Sequence, residues 1–422
     1  MKKITLLVGT IVSFISFTNA QVVQITSGAA YKKQTFYSLA NDAKTTINNT
    51  DWDIAFSVYG QQDGGIFLNE SAGSGETAIK LYKAPSDDFS KTITTAEVKD
   101  SLYNDELGWA YGAFNATRDL TKGFDYGWGV YNPTTNQVIG AKIFVLKLRN
   151  GSFRKIEIQK LNLGLYTFRH ADLDGKNEQI VTLDKAKFAG KTLAYYSFAT
   201  NTVKDLEPAG NFDLLYTRYV TTVDQNGIAT PYPILGILTG RGVSAAKAEK
   251  IDPLTVKASD YANKYEKKTD VIGYDWKVFN LNEMKWVLPT DRAYFVKVRN
   301  GDIYKLVFAD FEGSATGTAY FEKTKIITSP VSTSNLFEKE LDLKVFPTLA
   351  ENEINVAFDN KNNENYDIII SDMTGRTLSQ NHLSIVAGFQ VNSLNISDLA
   401  RGSYILTLKS NKGFATAKFV EN

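Results

Sequence analysis

The chain reads as all-β, with few short helices, and three observations carry that reading. Aromatic residues are abundant, with 22 Tyr and 25 Phe; together with frequent Val, Ile and Thr they favour strands over helices. Short runs of alternating apolar and polar residues recur, whereas helical periodicity is sparse. One pair of such runs, FVLKLRNGSFRKIEI from Phe144 to Ile158, returns as YFVKVRNGDIYKLVF from Tyr294 to Phe308. Asn-Gly between alternating runs signals a hairpin, because both central residues of the tightest turn need positive φ. Lys147 and Lys297 precede the turn, and Lys155 and Lys305 follow it, at matching places. A repeated hairpin points to a duplicated unit.

The repetition extends beyond the hairpin. Phe36-Tyr37-Ser38-Leu39 matches Tyr195-Tyr196-Ser197-Phe198, and Trp52-Asp53-Ile54-Ala55-Phe56 matches Phe212-Asp213-Leu214-Leu215-Tyr216. Tyr126-Gly127-Trp128 matches Tyr274-Asp275-Trp276, and Ala171-Asp172-Leu173-Asp174-Gly175 matches Ala309-Asp310-Phe311-Glu312-Gly313. The copies differ by insertions, which belong on surface loops. These matches predict tandem β units at 21–187 and 188–330, each closing around its own interior. Within them Trp52–Tyr59, Lys142–Arg149, Phe153–Gln159, Asp213–Val220, Tyr294–Arg299 and Ile303–Phe308 read as strands. Short helices are expected near Thr95–Tyr103 and Ser244–Lys250.

Both ends of the chain have a different character. Lys2 and Lys3 precede the apolar run Ile4 to Phe17, and Thr18-Asn19-Ala20 offers small residues before Gln21. That is the layout of a signal peptide over 1–20, cleaved between Ala20 and Gln21, and too short for a stable membrane span. Ser329-Pro330-Val331-Ser332-Thr333-Ser334-Asn335 opens a linker, with 331–342 separating the units from the tail. Over 343–422, short strands between Asn, Gly and Asp clusters predict a small Ig-like β-sandwich. With no cysteine, thiolate chemistry and iron–sulfur clusters are excluded, and stability must come from core burial. A net charge of +1 supplies no global field that would select nucleic acid or an anionic membrane.

Several tail motifs follow one another in a fixed order. They are Val345-Phe346-Pro347, then Ile370-Ser371-Asp372-Met373-Thr374-Gly375-Arg376, then Leu399-Ala400-Arg401-Gly402-Ser403-Tyr404, and the closing Lys418-Phe419. In order, spacing and position this segment resembles the type A sorting domain of the type IX secretion system, although Thr348-Leu349 stands where that family has Asn-Pro. The resemblance implies recognition by the type IX machinery at the outer membrane and removal of the tail. Its motif residues are Pro347, Asp372, Gly375, Leu399, Gly402, Tyr404 and Lys418. The repeated units, through Trp52-Asp53-Ile54-Ala55-Phe56, its echo, and Gly151-x-x-x-Lys155 with Gly301-x-x-x-Lys305, resemble the HmuY family of exported all-β haem-binding proteins. That resemblance implies two tandem HmuY-like β units and haem or a related porphyrin as ligand.

Haem iron needs an axial His, Met, Cys or Tyr. The chain has two histidines, His170 and His382, and His382 lies in the tail. His170 and Met284 are the candidate axial ligands, against surface and packing roles respectively, and ligation by one of the many tyrosines stays open with none singled out. With so few histidines and no cysteine, nucleophilic triads lack material. Gly236-Ile237-Leu238-Thr239-Gly240-Arg241-Gly242 lacks the Gly-Lys-Ser/Thr ending of a phosphate loop and reads as a turn. Asp172-Leu173-Asp174-Gly175-Lys176-Asn177-Glu178 has calcium-loop flavour without the full pattern. The repeated acids Asp53 and Asp213 are expected to anchor turns or buried hydrogen bonds. The expected function is an exported, non-catalytic binding protein at the surface or outside the cell. A surface interaction protein that contacts host protein or glycan is the alternative, and a carboxylate-based hydrolase ranks behind both.

Overall fold

The computed structural model describes residues 20–208, 210–327, 343–360, 363–372, 376–410 and 414–422. The expected signal segment up to Asn19, the linker and Gly375 lie outside the described residues. The first copy supplies β1 (Gln21–Thr26), β2 (Lys33–Tyr37), β3 (Lys44–Asn48), β4 (Ile54–Ser57), β5 (Ile66–Leu68), β6 (Lys80–Lys83), β7 (Ser101–Leu102), β8 (Gly129–Asn132), β9 (Gln137–Gly140), β10 (Ile143–Lys147), β11 (Phe153–Asn162) and β12 (Leu165–Ala171). There follow β13 (Gln179–Asp184), β14 (Leu193–Ser197), β15 (Thr202–Lys204), β16 (Leu214–Gln225), β17 (Ile228–Thr239), β18 (Ser244–Glu249), β19 (Val278–Asn280), β20 (Lys285–Val287), β21 (Arg292–Lys297), β22 (Ile303–Phe311) and β23 (Thr318–Ile327). The class is all-β, as expected.

The sheets come in matching pairs. The order β13-β12-β11-β10-β6 is mirrored by β1-β23-β22-β21-β18, and β15-β14-β4-β5 by β3-β2-β16-β17. The repeated hairpins β10–β11 and β21–β22 occupy equivalent places, and each second strand carries a bulge at the same step, Ile158/Lys160 and Phe308/Asp310. Their turns differ from the expectation in one respect. Only Gly151 (φ 84°) and Gly301 (φ 89°) are left-handed, and Gly151 N–H donates to Leu148 O at 2.9 Å as Gly301 N–H does to Val298 O. This is the three-residue turn that ends in a left-handed glycine.

Each body is built from both copies. Tyr195 and Tyr196 of β14 pair with Ala55 and Ile54 of β4, while Tyr37 and Phe36 of β2 pair with Leu214 and Leu215 of β16. β13 lies on β12, with Gln179 opposite His170, and β1 lies on β23, with Gln21 opposite Lys323. One core joins Ile54, Phe56, Trp128, Phe144 and Phe168 to Tyr196 and Phe198; the other joins Val23, Ile25, Tyr37 and Leu39 to Leu214, Trp276, Tyr294 and Phe321. The expectation that each unit closes around its own interior is thus corrected: the opening strands of each copy complete the sheets of the other. The reason lies in chain length. Had β2 paired with β4, residues 49–53 would have had to run back along the strand and cross it. Five extended residues reach about 17 Å, which spans the strand and leaves nothing for the crossing.

Two further expectations change. Ser244–Lys250 looks helical by its alanines but forms strand β18, with Ala245, Ala246 and Ala248 fully buried; packing overrides propensity there. Near Thr95 only one 3-10 turn forms, Thr95–Glu97, with Glu97 accepting from Thr94 N–H at 2.7 Å. The matched blocks at Ala171 and Ala309 are not equivalent, because Ala309 lies within β22 and Ala171 ends β12.

The tail forms two sheets of three and five strands around a separate core of Val356, Phe358, Ile368, Leu406 and Phe419. Pro347 follows the strand Lys344–Phe346, and Asp372 accepts from Arg376 N–H and Nε–H, both at 3.1 Å. Leu399 packs on that core, and Gly402 opens the strand Gly402–Lys409. Tyr404 donates its hydroxyl to Ala400 O and stacks on Phe419, while Lys418 is exposed.

Candidate functional site

The repeated aspartates explain the repeated hairpins. Asp53 Oδ2 accepts from Phe198 N–H at 2.6 Å, and Asp213 Oδ2 accepts from Leu39 N–H at 2.8 Å. Each carboxylate therefore ties its own strand to the strand received from the other copy. Arg299, beside the second hairpin turn, donates to Asp213 Oδ1 at 3.2 Å and to Phe212 O at 2.8 Å. Its counterpart Arg149 donates to Ser71 O and Asn49 O. The following lysines cap loops: Lys155 donates to Phe89 O and Lys91 O, and Lys305 to Pro253 O. These conspicuous repeated residues are structural clamps.

Where the two bodies meet, the outer faces of β14–β4–β5 and β2–β16–β17 form a shared aromatic layer of Phe36, Trp52, Phe67, Leu193, Tyr195, Phe212 and Leu215. A cleft opens at its edge, partly open to solvent. Trp52, Phe67, Trp109, Tyr195, Leu215 and Leu238 supply apolar wall. The segment Asn104–Trp109 straps across it: Trp109 Nε1–H donates to Thr239 O at 2.8 Å, and Thr269 N–H donates to Glu106 O at 2.8 Å. Glu70 braces the floor, taking Asn104 N–H on Oε1 at 2.7 Å and Val220 N–H on Oε2 at 3.0 Å.

Several polar atoms of the cleft's lining residues are buried and have no hydrogen-bond partner among the described residues. They are Gln34 Nε2, Trp52 Nε1 and Tyr219 OH. Buried polar atoms are nearly always satisfied, so these orphans single out the cleft as the candidate site. Glu106 Oε2 lies 3.5 Å from Lys268 Nζ, which also pairs with Asp270 at 2.9 Å, and burial, with the neighbouring Asp270, raises the Glu106 carboxyl. Burial pushes Glu70 up to about 7, and pushes Glu207, which accepts from Thr192 N–H, Leu193 N–H and Tyr195 OH, to about 7.

These two glutamates carry a pH prediction. Their folded-state values lie above the ordinary 4.5, so between those limits the folded protein binds protons that the unfolded chain releases. Stability is then full below about pH 4.5 and declines as pH rises through about 7. Tm should fall between pH 5 and pH 7, before Lys185 and Lys277, which burial lowers to about 7, turn the slope the other way, and Glu70→Gln should flatten that fall, although it is less stable throughout because an amide N–H₂ meets a backbone donor. A Tm independent of pH across this window would contradict the assignment.

His170 and Met284 are not brought together, and neither lines the cleft. His170 is fully buried on β12 among Phe168, Tyr196 and Phe198, with ring centroids 4.9–6.4 Å away. Its Nε2 lies 3.0 Å from Tyr196 OH, its Nδ1 has no partner among the described residues, and burial lowers it to about 4. Met284 is exposed in the turn between β19 and β20, at φ 48°. An iron at His170 would have to displace the Tyr196 hydroxyl or part the rings over Nδ1. Among the described residues no group of three or more His, Cys, Asp or Glu could hold a metal ion, and no helix is long and apolar enough to cross a membrane.

Residues missed by sequence reasoning are the cleft residues Gln34, Glu70, Glu106 and Trp109. Apart from the repeated Trp52, nothing in the pattern marks them.

Among solved structures the chain is similar to apo PinO from Porphyromonas gingivitis, at 10% identity over 74% of this chain and 100% of that one, with a TM-score of 0.24. It is also similar to dimeric latent PorU from Porphyromonas gingivalis, at 8% identity over 92% of this chain and 34% of that one, with a TM-score of 0.17. At those scores neither likeness carries an argument. No curated protein matches the chain. One family model does match, over residues 344–422. That segment is a secretion system C-terminal sorting domain, and it marks the chain for export to the cell surface or beyond.

Proposed function

We propose that the protein is an exported, non-catalytic binding protein, working at the cell surface or after release, which holds its ligand in the cleft between the two bodies. The observation that carries this reading is the set of orphaned polar atoms around an aromatic-walled opening. The sorting tail supports delivery by the type IX machinery, and cleavage between Ala20 and Gln21 fits β1, which begins at Gln21. A hydrolase built on paired carboxylates is disfavoured at Glu70, both of whose oxygens are engaged by backbone N–H groups; Glu106 stands beside Asp270, and Lys268 pairs with both.

The test is a thermal-shift screen of residues 21–422 against porphyrins, nucleosides and saccharides. A ligand at 100 times its Kd should add about 2.7 kcal/mol to stability, and Trp52→Phe with Glu106→Ala should erase the shift. A shift that survives both variants would move the site elsewhere, and chemical conversion of the ligand would overturn the non-catalytic reading.

The resemblance to the HmuY family supports a second reading, haem at His170, favoured by its unpartnered Nδ1 among aromatic rings. Haem titration should then give a shifted Soret band that His170→Ala abolishes; a spectrum of free haem would end this reading. Met284→Ala tests the other donor in the same assay.

A further inference from the structure

Outside the cleft, we propose that the hairpin β19–β20 is a docking surface for a second copy of the same chain. The first copy supplies the comparison. Its hairpin β8–β9 has the same pairing, Asn132 opposite Gln137 as Asn280 is opposite Lys285, and the same four-residue turn. Asn132 Oδ1 accepts from Thr134 N–H and Thr135 N–H at 2.9 and 3.3 Å; Asn280 Oδ1 accepts from Asn282 N–H and Glu283 N–H at 3.0 and 3.2 Å. The fourth turn residue is left-handed in both, Asn136 at φ 55° and Met284 at φ 48°. Asparagine takes that conformation readily and methionine does not. Turn geometry therefore accounts for Asn136 and leaves Met284 unexplained.

The replacements between the copies run in one direction. Tyr131 donates its hydroxyl to Asn136 Oδ1 at 2.9 Å. Phe279 and Met284 hold those two places in the second body, and Leu281 stands where the first has Pro133. Leu281 is 77% and Met284 72% exposed, with Val278, Phe279 and Val287 exposed beside them. A hydrogen-bonded polar tip has become an apolar surface, comparable with the largest patch of a typical monomer, which is often functional. The strand edge is open as well. Residues 160–162 of β11 cover β9, whereas β19 and β20 form a two-stranded sheet that no other strand of the described residues joins.

Three properties select a second copy as the occupant. The hairpin's only charges are Glu283 and Lys285, one of each sign and 2.6 Å apart. About a two-fold axis each carboxylate meets the other copy's ammonium, so the surface is complementary to itself. A bilayer would instead have to take in Asn282 and Glu283 along with the apolar residues that flank them. The order Met284-Lys285-Trp286-Val287-Leu288 is also nearly symmetric in polarity. Antiparallel pairing of two β20 strands about Trp286 sets Lys285 of each copy opposite Val287 of the other, and Met284 opposite Leu288, with no like charges opposed. Finally, the two patches together come to roughly 1,000 Å², the lower limit of a specific interface, so the association depends on concentration.

The test is sedimentation equilibrium of residues 21–422 over a wide concentration series. The mass should rise from one chain toward two. Leu281→Pro combined with Met284→Asn gives the second hairpin the first copy's own turn residues. That variant should weaken association about tenfold or more, with Tm unchanged or raised. Glu283→Lys and Lys285→Glu should each weaken it, and an equimolar mixture of the two should recover it, as contact between copies requires. A single-chain mass at every concentration, or a dimer that the double variant leaves intact, overturns the proposal. So does a chain that stays monomeric yet sediments with phosphatidylcholine vesicles, because the hairpin then serves a lipid surface.

Discussion

Cutting the chain between Lys176 and Asn177 is expected to leave one particle. A protease site inserted there falls in the exposed turn between β12 and β13. The fragments on either side share four strand pairings: β1 with β23, β13 with β12, β2 with β16 and β14 with β4. They also share the aromatic layer of Trp52, Tyr195, Phe212 and Leu215. A tandem whose copies close on their own strands could shed one folded fragment from the other in dilute buffer or mild urea. With exchanged strands, a lone fragment lacks the middle or edge of each of the four large sheets of the two bodies, so separation requires unfolding. The cut protein should therefore elute at the position of the intact chain. Across a urea series, loss of co-elution should coincide with loss of the far-ultraviolet signal. Folded, separate fragments at low urea would refute the exchange.

That exchange marks the limit of what could be read before the structure. The matches between Phe36-Tyr37-Ser38-Leu39 and Tyr195-Tyr196-Ser197-Phe198, and between the blocks at Trp52 and Phe212, are real equivalences, and the class and hairpins follow from them. Similarity cannot say which of two like partners a strand takes, because β4 and β16 offer β2 nearly the same apolar edge. The connection of residues 49–53 decides it, and its shortness was visible without its meaning. The same degeneracy hid the origin of the second copy. β13 sits where β1 sits, which places the second copy's first strand at Gln179, inside the span expected for the first unit. The cleft was less legible still. It lies where the copies differ: Phe67 against Leu238, Trp52 against Phe212, and Glu70 against Arg241, by the registers of β4–β5 and β16–β17. Arg241 pairs with Asp63 at 2.8 Å, whereas Glu70 reaches across to Val220. An approximate two-fold arrangement thus has one opening whose lining comes from residues 34 to 269, too dispersed for any local pattern. Candidate haem donors were legible only as residue types, and His170 shows why type is not enough. Its equivalent place in the other body holds Lys323, opposite Leu306 as His170 is opposite Ile156. Lys323 likewise turns inward, donating to Leu39 O at 3.1 Å. A polar side chain at this position serves the exchanged strand in both bodies.

Asp213→Ala should be among the most damaging single substitutions in the body. Its carboxylate is the one point where β16, the exchanged segment at Leu39 and the hairpin arginine Arg299 all meet. Asp213 and Arg299 have side chains only 6% and 16% exposed. Removing one member of such a pair leaves a buried charge and a backbone N–H unpaired, at a cost of about 3–5 kcal/mol. In a body of this size that lowers Tm by roughly 10 °C. Burial raises the Asp213 carboxyl while Arg299 opposes that rise, so part of the pair's Coulombic gain is already consumed by desolvation, and the larger effect lies in breaking the pair. Asp53→Ala should cost less, about 1–3 kcal/mol, because Arg149 keeps its bonds to Ser71 O and Asn49 O when the carboxylate goes. Adding Arg299→Ala to Asp213→Ala should restore part of the loss, since no charge is then stranded. Chemical denaturation of the four variants measures the coupling. Equal losses for Asp53→Ala and Asp213→Ala, or strict additivity with Arg299→Ala, would show that the arginine does not hold the exchanged strand through this carboxylate.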